Sequence, residues 1–218
     1  MKETLDLETV KNYRNFLRDF IDALEICIGN IEKIKIAQIE KVNLRPINQF
    51  LRHYVNLCYS NCSINIYKIY KSHEKRSFNK LFNKFKEFNF APDLSRVFVT
   101  NKQQAEIPNL YKSKTELLKS ISEFEKEITL HHKLLDKIKT RREKYYAHSD
   151  PDKQIEPETL AELTEIKELS KKIYNNLFGN LFYEYYVFSG NIESIQPVIE
   201  DRKTVDKQLK DSEKNLNR

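Results

Sequence analysis

From Arg142 to Asp150 the chain reads R-E-K-Y-Y-A-H-S-D, a permanent cation followed, with five residues between, by the imidazole of His148. A guanidinium holds two phosphate oxygens at once, and a histidine moves a proton near neutral pH. Together they are what scission of a phosphodiester needs. Lys144 adds a cation, and Tyr145 and Tyr146 either meet RNA, by stacking on a base or giving a hydroxyl to a phosphate, or pack against a neighbouring helix or a second copy. Asp150 either orients His148 or ends the helix through Asp-Pro turn chemistry. The arginine itself has two candidates. On an unbroken helix about seven positions return a residue to the same face, which aligns Arg141 with His148; a helix that ends before His148 frees Arg142 for the same role and leaves Arg141 as a second phosphate contact.

Other chemistry-bearing residues read as structural. Cys27, Cys58 and Cys62 form no C-x-x-C pair, and a zinc site made from them with His53 lacks a fourth ligand and a workable spacing on one helix. They read as core, and no metal or cofactor is expected. His131 and His132 are adjacent, so they diverge on a helix and cannot chelate together. Arg52, His53 and the K-S-H-E-K-R run around His73 read as solvated surface that could extend a basic patch. Tyr183, Tyr185 and Tyr186 read as packing or a subunit contact.

The elements that must carry the motif follow from apolar spacing. Leu7, Val10, Tyr13, Leu17, Ile21, Leu24 and Ile28 describe an amphipathic helix; beyond Gly29 and Asn30 the isoleucines to Ile39 either extend it or start another. Pro46 opens a long helix through Ile69. Ser77 is an N-cap for a short helix with Leu81, Phe82, Phe85 and Phe88. Residues 89–112, holding Pro92 and Pro108, read as a long loop with an extended piece at Val97–Val99. Ser113 and Glu116 form a capping box for one helix that runs through Leu117, Phe124, Ile128, Leu135 and Ile138 and delivers the motif. It stops near Asp150-Pro151. Pro157 suits the first turn of the next helix, with Leu163, Ile166, Ile173 and Leu177 on its core side.

With 3 glycines, 6 prolines and 39% hydrophobic residues in 218, the turn punctuation of a β fold is missing. The expected fold is all-α, an up-and-down bundle of four to six helices over residues 1–199, with a charged tail or peripheral helix at 200–218. A formal charge of +6 permits a polyanionic partner without demanding one. No apolar run approaches the roughly 20 residues that span a bilayer and the opening M-K-E-T-L-D-L-E has no apolar leader, which predicts a soluble cytoplasmic protein with no membrane partner.

A helical bundle carrying R-x-K-x-x-A-H-x-D at a helix end resembles the HEPN superfamily, and within it the branch of AbiU-like abortive-infection proteins. Arg142 and His148 match the superfamily's arginine and histidine, and Lys144, Ala147 and Asp150 match the branch. The stretch S-I-N-I-Y-K-I-Y-K-S followed by S-F-N-K-L-F is also similar to that branch. Two positions depart. Glu143 stands where many members have Asn, Asp or His, and can compete with phosphate for Arg142. Asp150 stands where the branch paired with nucleotidyltransferase antitoxins often has a tyrosine, so the resemblance does not extend to adenylylation there. It implies a metal-independent endoribonuclease, a toxin or phage-defence effector working as a homodimer on RNA, with Arg142 and His148 catalytic and an antitoxin, nucleotidyltransferase or other, as a partner. The alternatives are a catalytically inactive RNA- or nucleotide-binding member and a helical dimeric adaptor.

Overall fold

The computed structural model describes residues 3–71, 76–104, 106–146, 158–189 and 194–216, and over these the chain is all-α apart from one pair of two-residue strands. Helix α1 (Leu7–Ile39) starts where the Asp6 side chain accepts from the Thr9 amide at 2.7 Å and buries Val10, Leu17, Ile21, Leu24 and Ile28 completely. It does not break at Gly29-Asn30. Asn30 is buried and acts as a cross-brace, donating to the Tyr54 hydroxyl at 2.8 Å and accepting from the Ile195 amide at 2.9 Å, so its polar atoms are satisfied without ending the helix.

Helix α2 (Asn48–Tyr70), entered through a short 3-10 turn at Arg45–Ile47, returns antiparallel along α1. Helix α3 (Phe78–Glu87) is capped by Ser77, which accepts from the Lys80 amide, and drives Phe78, Phe82 and Phe85 into the core. The strand pair β1 (Thr4–Leu5) and β2 (Asn89–Phe90) is parallel.

Four expectations are corrected here. Residues 89–112 are not a long loop, because α4 (Pro92–Gln103) occupies most of the stretch and Val97–Val99 is helical. Pro92 is its first residue, where a missing N–H and a fixed φ favour a start rather than a stop, and Leu94, Phe98 and Asn101 are its buried side. Asn101 ties the helix down by donating to the carbonyls of Tyr111 at 2.9 Å and Leu181 at 3.1 Å. The helix ahead of the motif is two helices, α5 (Lys114–Leu130) and α6 (His132–Arg141), separated at His131, whose φ and ψ of −96° and 7° leave the helical region. In the cap of α5, Ser113 accepts from the Glu116 amide, but the Glu116 carboxylate reaches one residue further back, to the Lys112 amide at 2.6 Å. The next helix, α7 (Leu160–Tyr174), is capped by Thr159 with a reciprocal Glu162 contact rather than opened by Pro157, which lies outside the described residues.

Helix α7 passes through a π turn at Asn175–Gly179 into the short α8 (Asn180–Phe182). Gly179 lets the Tyr185 ring lie close over the backbone, where a Cβ would come within 2.7 Å of it and displace it. Tyr185 and Tyr186 fold back onto their own chain, their hydroxyls donating to Asn180 at 3.0 Å and Asp22 at 2.9 Å. The segment after residue 196 is helix α9 (Gln196–Leu216), which docks on the far end of α1 through a second core of Ile34, Ala37, Leu44, Leu51, Ile195 and Ile199. No helix among the described residues is long and apolar enough to cross a membrane.

Replacing Asn101 by Ala strands two buried carbonyls, each costing about 1–3 kcal/mol. Urea unfolding of Asn101→Ala is expected to show a midpoint lowered by the equivalent of at least about 2 kcal/mol, with the far-UV helical signal retained before the transition.

Candidate functional site

The motif begins on the last turn of α6. Ile138 is fully buried and sets the helix's rotation. From Arg142 to Tyr146 the chain widens into a π turn, a feature found often at functional sites. The angular reckoning for an unbroken α-helix therefore stops at Arg142.

The two arginines have separate surroundings. Arg141, with a side chain only 13% exposed, places Nε 2.7 Å from a carboxylate oxygen of Glu158, whose side chain has no exposure at all. The other Glu158 oxygen accepts from the Ser63 hydroxyl of α2, itself fully buried. One turn earlier on α6, Lys137 donates to Glu162 at 2.8 Å. That bond first, and the Thr159 amide next, hold the Glu162 carboxyl below its ordinary value. The stability it contributes is complete above the carboxyl's unfolded value and is lost as pH falls through the folded one. Two charge pairs thus fasten the end of α6 to the start of α7, on either side of the segment 147–157 that carries the rest of the motif.

Arg142 is half-buried and lies over a ring instead. Its guanidinium carbon is 4.3 Å from the centroid of Tyr67 on α2, and the ammonium of Lys71 is 4.2 Å from the same centroid. Among the described residues Arg142 makes no ion pair, with Glu143 or with any other carboxylate. Tyr67 is 5% exposed and its hydroxyl is buried with no hydrogen-bond partner among the described residues. Glu143 is half-buried and Lys144 exposed. Tyr145 and Tyr146 contribute the backbone of the π turn. Ala147, His148 and Asp150 lie outside the described residues, and the motif's described charged groups are Arg142, Glu143 and Lys144.

Beside Tyr67 a cleft of about 370 Å³ opens between the end of α2, the start of α3 and the junction of α5 and α6. Tyr67, Lys71, Asn79, His132, Asp136 and Lys139 supply its polar and aromatic lining. Sequence reasoning passed over Ser63, Tyr67, Lys71 and Glu158. The first three sit in the stretch S-I-N-I-Y-K-I-Y-K-S, where Ser63, Tyr67 and Lys71 recur every fourth position; that recurrence was the available signal.

His131 and the three cysteines are engaged by their neighbours, and His73 lies outside the described residues. The ring nitrogens of His131 face the Glu127 carbonyl at 2.8 Å and Glu165 at 3.1 Å. Cys27, Cys58 and Cys62 are buried together. The Cys58 contact pulls the Cys27 thiol's pKa down, while the Cys62 contact and burial push it up to about 12; Cys58 is raised by Cys27 and then by burial. For Cys27 and Cys58 this favours the thiol over the nucleophilic thiolate. Among the described residues no cluster of three His, Cys, Asp or Glu side chains is arranged to hold a metal ion.

No protein-family model matches this chain, and no curated protein or solved structure matches it either.

Removing one partner of a buried ion pair leaves an uncompensated charge, at a cost of about 3–5 kcal/mol. Arg141→Met is expected to lower the urea midpoint by that amount, and the paired change Arg141→Met with Glu158→Leu to cost distinctly less than Arg141→Met alone. A paired variant as unstable as the sum of its single changes would show that the two side chains act independently.

Proposed function

We propose that the chain is a metal-independent endoribonuclease of the HEPN class, acting as a toxin or phage-defence effector and working as a symmetric dimer. The observation that carries the reading is the division of labour between the arginines. Arg141 is held by the buried Glu158 carboxylate, while Arg142 has no carboxylate partner among the described residues and lies over the Tyr67 ring. That favours Arg142 as the phosphate contact and gives Arg141 the task of positioning it.

The chemistry follows from the residue types. The ribose 2′-oxygen attacks the adjacent phosphorus and loses its proton to a base, the bond from phosphorus to the 5′-oxygen breaks, and that oxygen takes a proton from an acid. Arg142 balances the charge that builds on the phosphate oxygens. His148 is the motif's one group suited to proton transfer near neutral pH. With one such histidine per chain, two copies facing a shared cleft supply base and acid together. The products are a 2′,3′-cyclic phosphate and a free 5′-hydroxyl. Glu143, Lys144, Tyr145, Tyr146 and Asp150 flank this centre, and an antitoxin would act by covering it.

A second reading, a quiet RNA- or nucleotide-binding protein, draws on the stacking of Arg142 on Tyr67, which holds the guanidinium without any catalytic partner.

The test is gel analysis of labelled RNA incubated with excess chelator, with the end groups of any fragments identified. The parent is expected to leave cyclic phosphate ends and to spare a DNA of the same sequence. His148→Ala is expected to cut about 10²- to 10⁴-fold more slowly, and Arg142→Ala about 10²- to 10³-fold more slowly, with the thermal midpoint of His148→Ala unchanged. A folded, dimeric parent that binds several RNAs and cuts none would overturn the nuclease reading in favour of the second.

A further inference from the structure

The cleft beside Tyr67 belongs to two facing helical stripes. On α6, His132, Asp136 and Lys139 line it at helical spacing, and Arg142 follows one turn beyond Lys139 on the same side, touching the same tyrosine. From His132 to Arg142 the axial distance is about 15 Å at 1.5 Å per residue, enough for more than one nucleotide. Opposite, α2 contributes Tyr67, and Lys71 follows at its C-cap.

The charges in this stripe are unbalanced. Lys71 and Arg142 both lie against the Tyr67 ring, at 4.2 and 4.3 Å from its centroid, which keeps the two cations within about 8.5 Å of each other whichever faces they occupy. Lys139 is exposed and, like Lys71, makes no ion pair among the described residues. Asp136 is the one carboxylate in the cleft lining. Beneath the cations the floor is apolar, formed by Ile66, Ile128 and Leu135, and Asn79 and Thr129 offer hydrogen-bonding groups at the edge. An apolar slot with convergent polar groups and a volume of about 370 Å³ falls in the range of small-ligand sites, and an excess of cations around it selects an anionic ligand.

We propose that this cleft holds one nucleotide of a single-stranded RNA, next to the nucleotide whose phosphate meets Arg142, with Lys71 and Lys139 on its phosphate and the base against the apolar floor. The proposal rests on the RNA-cleaving reading above and adds to it the groove that carries the strand to the reacting phosphate. Asp136 tempers binding by repelling that phosphate.

The experiment is fluorescence anisotropy of a labelled single-stranded RNA, measured over a range of salt concentrations in the His148→Ala background so that the probe stays intact. The pair Lys71→Ala and Lys139→Ala is expected to weaken binding about tenfold and to reduce the salt dependence, the slope of log K against log salt, by about 1.4, as two lost phosphate contacts on a single strand require. Lys139→Ala alone, at an exposed position, should give about half that change in slope and guards against misfolding of the pair. Asp136→Asn should tighten binding about twofold, a gain that damage to the fold does not produce. Lys203→Ala with Lys207→Ala, on α9, should change neither quantity. RNA binding by the parent that is indifferent to the cleft variants, or that falls equally with the α9 variants, would overturn the cleft assignment and leave the nuclease reading standing. Absence of RNA binding would overturn both. Adenosine monophosphate bound at the cleft by a protein that binds no RNA would overturn RNA as the source of the nucleotide.

Discussion

A carboxylate cut off from water survives folding only if a cation and donors meet it where it lies, and Glu158 is such a carboxylate. Its side chain has no exposure, one oxygen faces the Arg141 guanidinium at 2.7 Å, and the other accepts from the buried Ser63 hydroxyl. Three elements converge on this one group: the end of α6 through Arg141, the middle of α2 through Ser63, and the entry to α7 through the Glu158 backbone. The planar guanidinium suits the place because it combines charge with several donors in a fixed fork, where a lysine would offer a mobile point charge. As a net source of stability such a pair is worth little compared with an apolar substitute. Its consequence is geometric, since it specifies which way the end of α6 is turned.

That rotation decides what the neighbouring residue does. Adjacent positions on a helix diverge by about 100°, so fixing Arg141 inward toward Glu158 turns Arg142 out toward α2 and the Tyr67 ring. The Lys137–Glu162 pair repeats the fastening one turn earlier. The end of α6 and the start of α7 are thereby held together at two points. A ring beneath the guanidinium also removes water from one of its faces, which strengthens its attraction for an approaching phosphate relative to a fully solvated cation.

Much of the fold was legible from apolar spacing, because α1, α2, α3 and α7 each bury one stripe and expose the rest. Ser77 and Ser113 were legible as caps, since the capping oxygen is encoded in the residue itself. Pattern failed where one residue type has two opposite uses. Pro92 begins α4 where it was read as part of a loop, and only the burial of Leu94 and Phe98 behind it decides between the two. The break at His131 was invisible because Ile128, Leu135 and Ile138 keep nearly the same spacing across it. In the candidate site, the motif offers both Arg141 and Arg142 and does not divide them. That division is set by Glu158, which belongs to a different element and has no sequence periodicity relative to the arginines. Wheel geometry pointed to Arg141 because it assumed a regular α-helix, and the chain leaves that geometry at Arg142.

The α2 residues that meet the site also show that this surface is not explained by folding alone. Ser63, Tyr67 and Lys71 recur every fourth position on one side of the helix, so a single stripe touches in turn the Glu158 carboxylate, the Arg142 guanidinium and the mouth of the cleft. Each could be replaced without loss of packing if stability were the only demand. An apolar pair could stand for Glu158 and Arg141, and a phenylalanine would place the same ring under the same cations without burying a hydroxyl that has no partner among the described residues, an omission that costs about 1–3 kcal/mol. Two cations against one ring repel each other and gain only a modest attraction from its face. What relieves that arrangement is an anion shared between them. A phosphate of the RNA strand proposed above would supply that anion.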